Sequence, residues 1–324
     1  MKKLTCLLAL GLFSAATIAG PFDKTECIAG AKPGGGFDLT CKLAQTALLE
    51  TQVIKDPMRV TYMPGGIGAV AYNAVVGQRS GEPNTIVAFS GGSLLNIAQG
   101  KFGKYTENDV RWLAVIGADY GVVAVRKDSP YKTLKDLAEA LKADPAKVVF
   151  GAGGTIGSQD WMKAALTAKI AGVSHKTMRF VAFEGGGEAL SALQGGHVHV
   201  FAGDAAELAA QVKAGAYVRL LAVLSEKRLP GVLADVPTAK EQGFDVEWPI
   251  VRGFYMGPKV SDADFNAWTE GFNRMMRMPE FAKLREERGM YPFSMTGEML
   301  NLYIKRYTQQ YRKLAAEFGL VGEK

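Results

Sequence analysis

Six times along this chain a short apolar run meets a glycine-rich corner and then a stretch with helical spacing. That repetition constrains the fold more than any other feature. Glu26–Ala29 leads into Lys32-Pro33-Gly34-Gly35-Gly36-Phe37-Asp38, followed by Leu39, Leu43, Ala47 and Leu48 at helical spacing. Arg59–Met63 leads into Pro64-Gly65-Gly66-Ile67-Gly68, and Thr85–Phe89 into Ser90-Gly91-Gly92-Ser93. Lys147–Phe150 leads into the corner from Gly151 to Ser158, Arg179–Phe183 into Glu184-Gly185-Gly186-Gly187-Glu188, and His197–Phe201 into Ala202-Gly203-Asp204. Strands alternating with helices predict βα units in mostly parallel sheets, an α/β fold.

In such sheets ligands collect at the carboxyl ends of the strands, where these glycines lie. A helix N-terminus offers free N–H groups and about half a positive charge. A glycine corner lets a ligand approach them without a Cβ in the way. Several corners on one cleft therefore predict an anion site built from backbone. Any one corner alone reads more simply as a tight turn; six in one chain favour the shared explanation. Glycine makes up 38 of 324 residues without a three-residue period, so the chain is not collagen and its excess belongs to turns and close backbone approach.

The first residues read as an address. Met1-Lys2-Lys3 is a basic start, Leu4 to Ile18 is an apolar run, and Thr17-Ile18-Ala19 offers small residues for cleavage. This predicts a signal peptide over 1–19 and an exported chain; the alternative is a buried N-terminal helix. No later run approaches the roughly 18 apolar residues of a spanning helix. Cleavage after Ala19 leaves 324 − 19 = 305 residues and removes two lysines, so the formal charge falls from +6 to +4. Without a Lys/Arg block, nucleic acid is not an expected partner. The remaining cysteines, Cys27 and Cys41, stand 14 residues apart and can pair in an oxidising compartment; the alternative is two buried thiols.

The middle of the chain reads as an inserted lobe. Two apolar strands, Gly121–Val125 and Arg219–Leu224, bracket strand–corner–helix units. The expected division is 20–121 with 225–324 as lobe 1, and 122–224, including the crossing strands, as lobe 2. A last helix from Glu298 to Phe318 carries Leu300, Ile304, Tyr307, Tyr311, Leu314 and Phe318 near one face, as a packed surface helix does.

Catalytic motifs are absent. There is no Gly-x-Ser-x-Gly elbow, His-Glu-x-x-His pair or P-loop. Gly151-x-Gly153-x-x-x-Gly157 has one residue too many for a dinucleotide fingerprint. His197 and His199 share a strand face without nearby Cys or carboxylate ligands, so no metal and no cofactor are expected. Asp38 and Asp204 each follow a glycine corner, where a carboxylate either caps a helix or faces a ligand. The hydroxyls of Ser90 and Ser93, with Gly92 between them, open a helix on a neighbouring strand.

In their order and spacing, the Pro33 to Asp38 corner, Met63-Pro64-Gly65-Gly66-Ile67-Gly68, the Gly151 to Ser158 corner, Leu193-Gln194-Gly195-Gly196-His197-Val198 and Val236-Pro237-Thr238 with Glu241-Gln242-Gly243 are similar to a known pattern. The chain resembles the Bug-type periplasmic solute-binding receptors of tripartite tricarboxylate transporters, and the setting of Glu26-Cys27 and Thr40-Cys41 is closest to the tricarboxylate-binding members. The resemblance covers essentially the whole chain after residue 19. It implies a two-lobed Venus-flytrap fold of type II with two crossing strands, and no enzymatic activity. It implies a carboxylate in the cleft, citrate first, held by backbone amides and hydroxyls of the first and third corners. Those are Gly34, Gly35, Gly36, Phe37 and Asp38, then Gly153, Thr155 and Ser158, with Asp204 as the fourth-strand acid; the corner logic itself adds Gly186. It implies delivery to a large and a small membrane subunit by a monomer. The competing expectation is an exported hydrolase or isomerase acting on an organic acid; a periplasmic sensor of the same acid is a third. Few cations lie in the corner motifs, Lys32 being just outside the first and Arg252 far along the chain, so the backbone is expected to carry most of the binding.

Overall fold

The computed structural model describes residues 21–321; the expected signal peptide lies outside them. The first half begins with β1 (Glu26–Ala29), α1 (Gly36–Glu50), β2 (Arg59–Tyr62), α2 (Ala69–Gly77), β3 (Thr85–Ser90) and α3 (Gly91–Ala98). Strand β1 pairs in parallel with β2 on one side and β3 on the other. All residues of β1 and β3 are buried, as expected for parallel strands covered on both faces.

The long strand β4 (Arg111–Arg126) then carries the chain into a second half. That half comprises α4 (Leu134–Ala143), β5 (Val149–Gly153), α5 (Gln159–Ile170), β6 (Arg179–Phe183), α6 (Gly186–Gln194), β7 (Val200–Asp204), α7 (Ala205–Lys213) and β8 (Val218–Leu224). The chain returns through β9 (Pro249–Met256) and finishes with α8 (Asp262–Met276), α9 (Pro279–Glu287), β10 (Met295–Thr296) and α10 (Gly297–Glu317). One ten-stranded sheet runs β2-β1-β3-β9-β4-β7-β5-β6, with β8 and β10 also on β4.

Strand β4 joins the two lobes. Its residues Arg111–Tyr120 pair with β9 in the first lobe, and Gly121–Arg126 pair with β7 and β8 in the second. The fold is thus α/β and two-lobed, as expected, with β4 shared between the lobes. The return crossing differs in position from the expected one. Arg219–Leu224 pairs with the second-lobe half of β4, and the following Pro-containing stretch stays there too. Val223 accepts and donates backbone hydrogen bonds with Ala239 and Pro237, and the Gln242 amide donates to the Leu221 carbonyl. The chain crosses back at Trp248, whose carbonyl accepts from Gly121 N–H at 2.9 Å. Hydrophobic patterning marked the strand, but its sheet partner was chosen by these long-range bonds.

Each lobe has its own core on both faces of its sheet. In the first, Leu43, Ile86, Phe254 and Trp268 lie on one face and Tyr72, Phe89, Trp112 and Ile304 on the other. In the second, Phe150, Met162 and Leu221 oppose Leu190, Phe201 and Leu208. Helix α10 buries Leu300, Ile304, Thr308 and Ala315 and packs against α3. A disulfide joins Cys27 on β1 to Cys41 on α1, across 5.7 Å between Cα atoms, with both residues fully buried. Among the described residues no helix is long and apolar enough to cross a membrane.

Candidate functional site

The carboxyl ends of β1, β3, β5, β6 and β7 meet between the lobes, and the corners that follow them line a small cavity of about 30 Å³. That is room for a water molecule and far below the roughly 300 Å³ of a usual small-molecule pocket, so the lobes are closed on one another. Two helices open there without a side-chain cap. Gly35 stands before α1 and Gly185 before α6, and neither can supply a capping oxygen. The vacant role falls to Glu207 of α7. Its Oε1 accepts from the Gly36 N–H at 2.6 Å, a bond that ties the two lobes together. A Cβ on Gly186 would lie only 2.2 Å from Glu207 Oε2, so the carboxyl sits directly between the two helix starts. Gly36 is fixed in the same way by its other neighbour: a Cβ there would fall 2.1 Å from the Arg252 guanidinium.

Arg252 is the centre of a buried ion network. It lies in the middle of β9, 1% exposed. Its Nη2 donates to Asp119 Oδ2 of β4 at 2.7 Å and to Asp204 at the end of β7. Lys163 of α5, fully buried, bonds Asp204 as well and pairs with Asp160 at 2.8 Å. Asp119 Oδ1 also accepts from Ala206 N–H at 3.0 Å, so it caps α7 from a neighbouring strand. Gln159 completes the set by donating to Asp204 Oδ2 at 3.3 Å.

The charges do not balance. Asp119, Asp160, Asp204 and Glu207 face two cations, Lys163 and Arg252. Burial works to raise the Asp204 carboxyl, but Lys163 and Arg252 outweigh it and hold the group below its ordinary range. Glu207 goes the other way: burial first, then the charges of Asp204 and Asp160, push it well above. Burial lowers the Lys163 ammonium, yet Asp160 and Asp204 overcome it and keep it charged. At the cleft edge Ile67, a β-branched residue, is held in the left-handed region at φ 47°, a strained conformation.

Residues 101–320 match the tripartite tricarboxylate transporter family receptor. The chain belongs to this family. The receptor is similar along nearly its whole length to UPF0065 proteins. One from Cupriavidus necator is 26% identical over 98% of this chain and 94% of the relative, and one from Bordetella pertussis is 22% identical over 98% and 96%. Among solved structures, the periplasmic binding protein BugD superposes with a TM-score of 0.82 at 19% identity, covering 92% of this chain and 98% of that one. MatC from Rhodopseudomonas palustris with bound malate gives 0.76 at 18%, covering 90% and 98%, and R. palustris Rpa4515 with adipate gives 0.79 at 18%, covering 91% and 97%. At these identities the likeness establishes the periplasmic binding protein fold. The family is one of receptors, not enzymes.

Of the residues singled out in the receptor's sequence, Gly35, Gly36, Phe37, Ser90, Gly153, Gly186 and Asp204 line the cavity. Others are engaged elsewhere. Asp38 accepts from Gly34 N–H, Lys42 and Tyr62, which occupies both the carboxylate and the first amide of its corner. Ser93 accepts from Ser90 N–H in a capping box. Ser158 donates to Gly153 O and accepts from Trp161 N–H as the cap of α5. Thr155 is exposed. Gly92 lies beside Gln159 without lining the cavity. Short hydroxyl and carboxylate side chains at helix starts bond the nearest backbone first, and that competition explains the engagement of Asp38, Ser93 and Ser158.

The corner motifs do hold few cations, as expected, but Arg252 of β9 lines the cavity and Lys163 is buried behind it on Asp160 and Asp204. Arg252 carried a signal, a charge inside the apolar run Pro249-Ile250-Val251-Arg252-Gly253-Phe254. Lys163 and Glu207 left none, because a charge on a helix ordinarily faces water.

Proposed function

We propose that this receptor, exported by its N-terminal signal peptide, captures a small organic acid between its lobes and delivers it to the large and small membrane subunits of a tripartite transporter. The observation that carries the reading is the pair of uncapped helix starts, α1 and α6, converging on one carboxyl, that of Glu207. Two helix N-termini with glycine at the first positions favour an anion through their amides, and each charge-assisted hydrogen bond is worth about 1.5–3 kcal/mol. A ligand carboxylate would take these amides together with Arg252. Gly35, Gly36, Phe37, Ser90, Gly153, Gly186 and Asp204 are the proposed contacts, joined by Gln159, Glu207 and Arg252. Lobe closure around the ligand is the signal for the membrane subunits, and the receptor works as a monomer.

Citrate is the first compound to try, with the malate and adipate held by the structural neighbours beside it. A ligand at 100 times its Kd stabilises by about 2.7 kcal/mol, which a thermal-shift screen of organic acids detects readily. The expected result is a rise in Tm with at least one acid and none with a neutral sugar. Stabilisation by the sugar, with no response to any acid, would overturn the reading.

A further inference from the structure

One end of the cleft already holds a carboxyl of the chain's own. Glu207 occupies the amide of Gly36 and the space between α1 and α6. What this end has in excess is acceptors. Glu207 Oε2 and Gln159 Oε1, on two residues lining the same cavity, are buried with no hydrogen-bond donor in reach. Acceptors left so are costly, and a native structure keeps few of them. The groups around Glu207 compound the excess: Asp119 from β4, Asp160 from α5 and Asp204 from β7, against Lys163 from α5 and Arg252 from β9. Lys163 and Arg252 form their ion pairs with Asp119, Asp160 and Asp204 and neither pairs with Glu207, while the buried Arg252 Nε has no acceptor and is left for a ligand carboxylate.

From this geometry we propose that the ligand is an organic acid that also carries an ammonium group, with Glu207 and Gln159 as the acceptors of that group. The proposal rests on the receptor reading above and adds the amine. On entry the ligand's carboxylate takes the Gly36 N–H and pairs with Arg252, while Glu207 exchanges that N–H for the ammonium. The two unmatched oxygens gain donors. The arriving cation also favours the ionised form of Glu207, whose carboxyl is pushed up in the ligand-free cleft by burial and by the charges of Asp204 and Asp160.

The test is calorimetry on the chain lacking residues 1–19, with acids matched in pairs that differ by the amine: succinate and aspartate, propionate and β-alanine, butyrate and 4-aminobutyrate. The amine-bearing member of at least one pair should bind about tenfold tighter or better. Glu207→Gln should erase the preference, so that each amine-bearing acid binds no tighter than its plain partner. Plain acids binding as tightly as their amine-bearing partners would overturn the proposal and leave the receptor reading standing. Failure of citrate, malate, adipate and all six paired acids to bind would overturn both. The native protein alone decides the matter if Glu207→Gln fails to fold.

Discussion

Arg252→Met should be among the most damaging single changes in this receptor. Methionine follows the aliphatic stem of the arginine but removes the charge that bridges Asp119, at 2.7 Å, and Asp204, all three side chains being almost wholly buried. Removing one partner of a buried ion pair strands the other, at a cost of about 3–5 kcal/mol. At about 2–4 °C per kcal/mol for a domain of 150–250 residues, the expected fall in Tm is roughly 6–20 °C. The loss should depend on pH, and the sign follows from the carboxylates. In the native protein Lys163 and Arg252 hold the Asp204 carboxyl down, so its contribution to stability is present above the unfolded value of about 3.9 and is lost as pH falls through the folded one. Without Arg252, Asp119 and Asp204 protonate more readily, so the penalty should be largest near pH 7 and shrink toward pH 4. Thermal unfolding of the ligand-free protein by circular dichroism from pH 4 to 8 measures this. Arg252→Lys, which keeps a charge but loses the fork, should lose less. A Tm for Arg252→Met within about 2 °C of the native value at pH 7, or a penalty unchanged from pH 4 to 8, would refute the reasoning.

Glu207 should behave in the opposite sense. Its carboxyl is raised chiefly by burial, so the protonated form favours the fold, and that advantage is lost as pH rises through the folded value. Relative to the native protein, Glu207→Gln should therefore gain more Tm at pH 8 than at pH 4; a gain that shrinks with pH would contradict the assignment. Replacing both Cys27 and Cys41 by alanine opens a loop whose ends are 14 residues apart in sequence. That should cost about 3 kcal/mol in the chain-entropy account, read from denaturant unfolding. Thiol titration of the denatured, unreduced chain lacking residues 1–19 should find no free thiol, and two reactive thiols would disprove the bond.

What the sequence determined by itself is what depends on near neighbours. Strands and helices alternate because the apolar period changes from run to run, and glycines mark the strand ends because the corners need backbone without a Cβ. Gly35, Gly36 and Gly186 could be placed on a cleft from that logic alone, and so could the α/β lobes. The pairing of Cys27 with Cys41 was open between bond and free thiols until β1 was seen packed on α1. Local competition engages Asp38, Ser93 and Ser158, whose oxygens bond the backbone beside them. Only the tertiary structure decided which charges fill the site. Arg252 and Glu207 come from β9 and α7, and they meet Gly36 because the strand order β3-β9-β4-β7 brings distant segments to one seam. That order is fixed by antiparallel pairing across β4, whose hydrogen bonds are made by backbone atoms every residue carries. No local pattern of side chains records it, so the burial of these charges, and the chemistry it creates, follows from the fold alone.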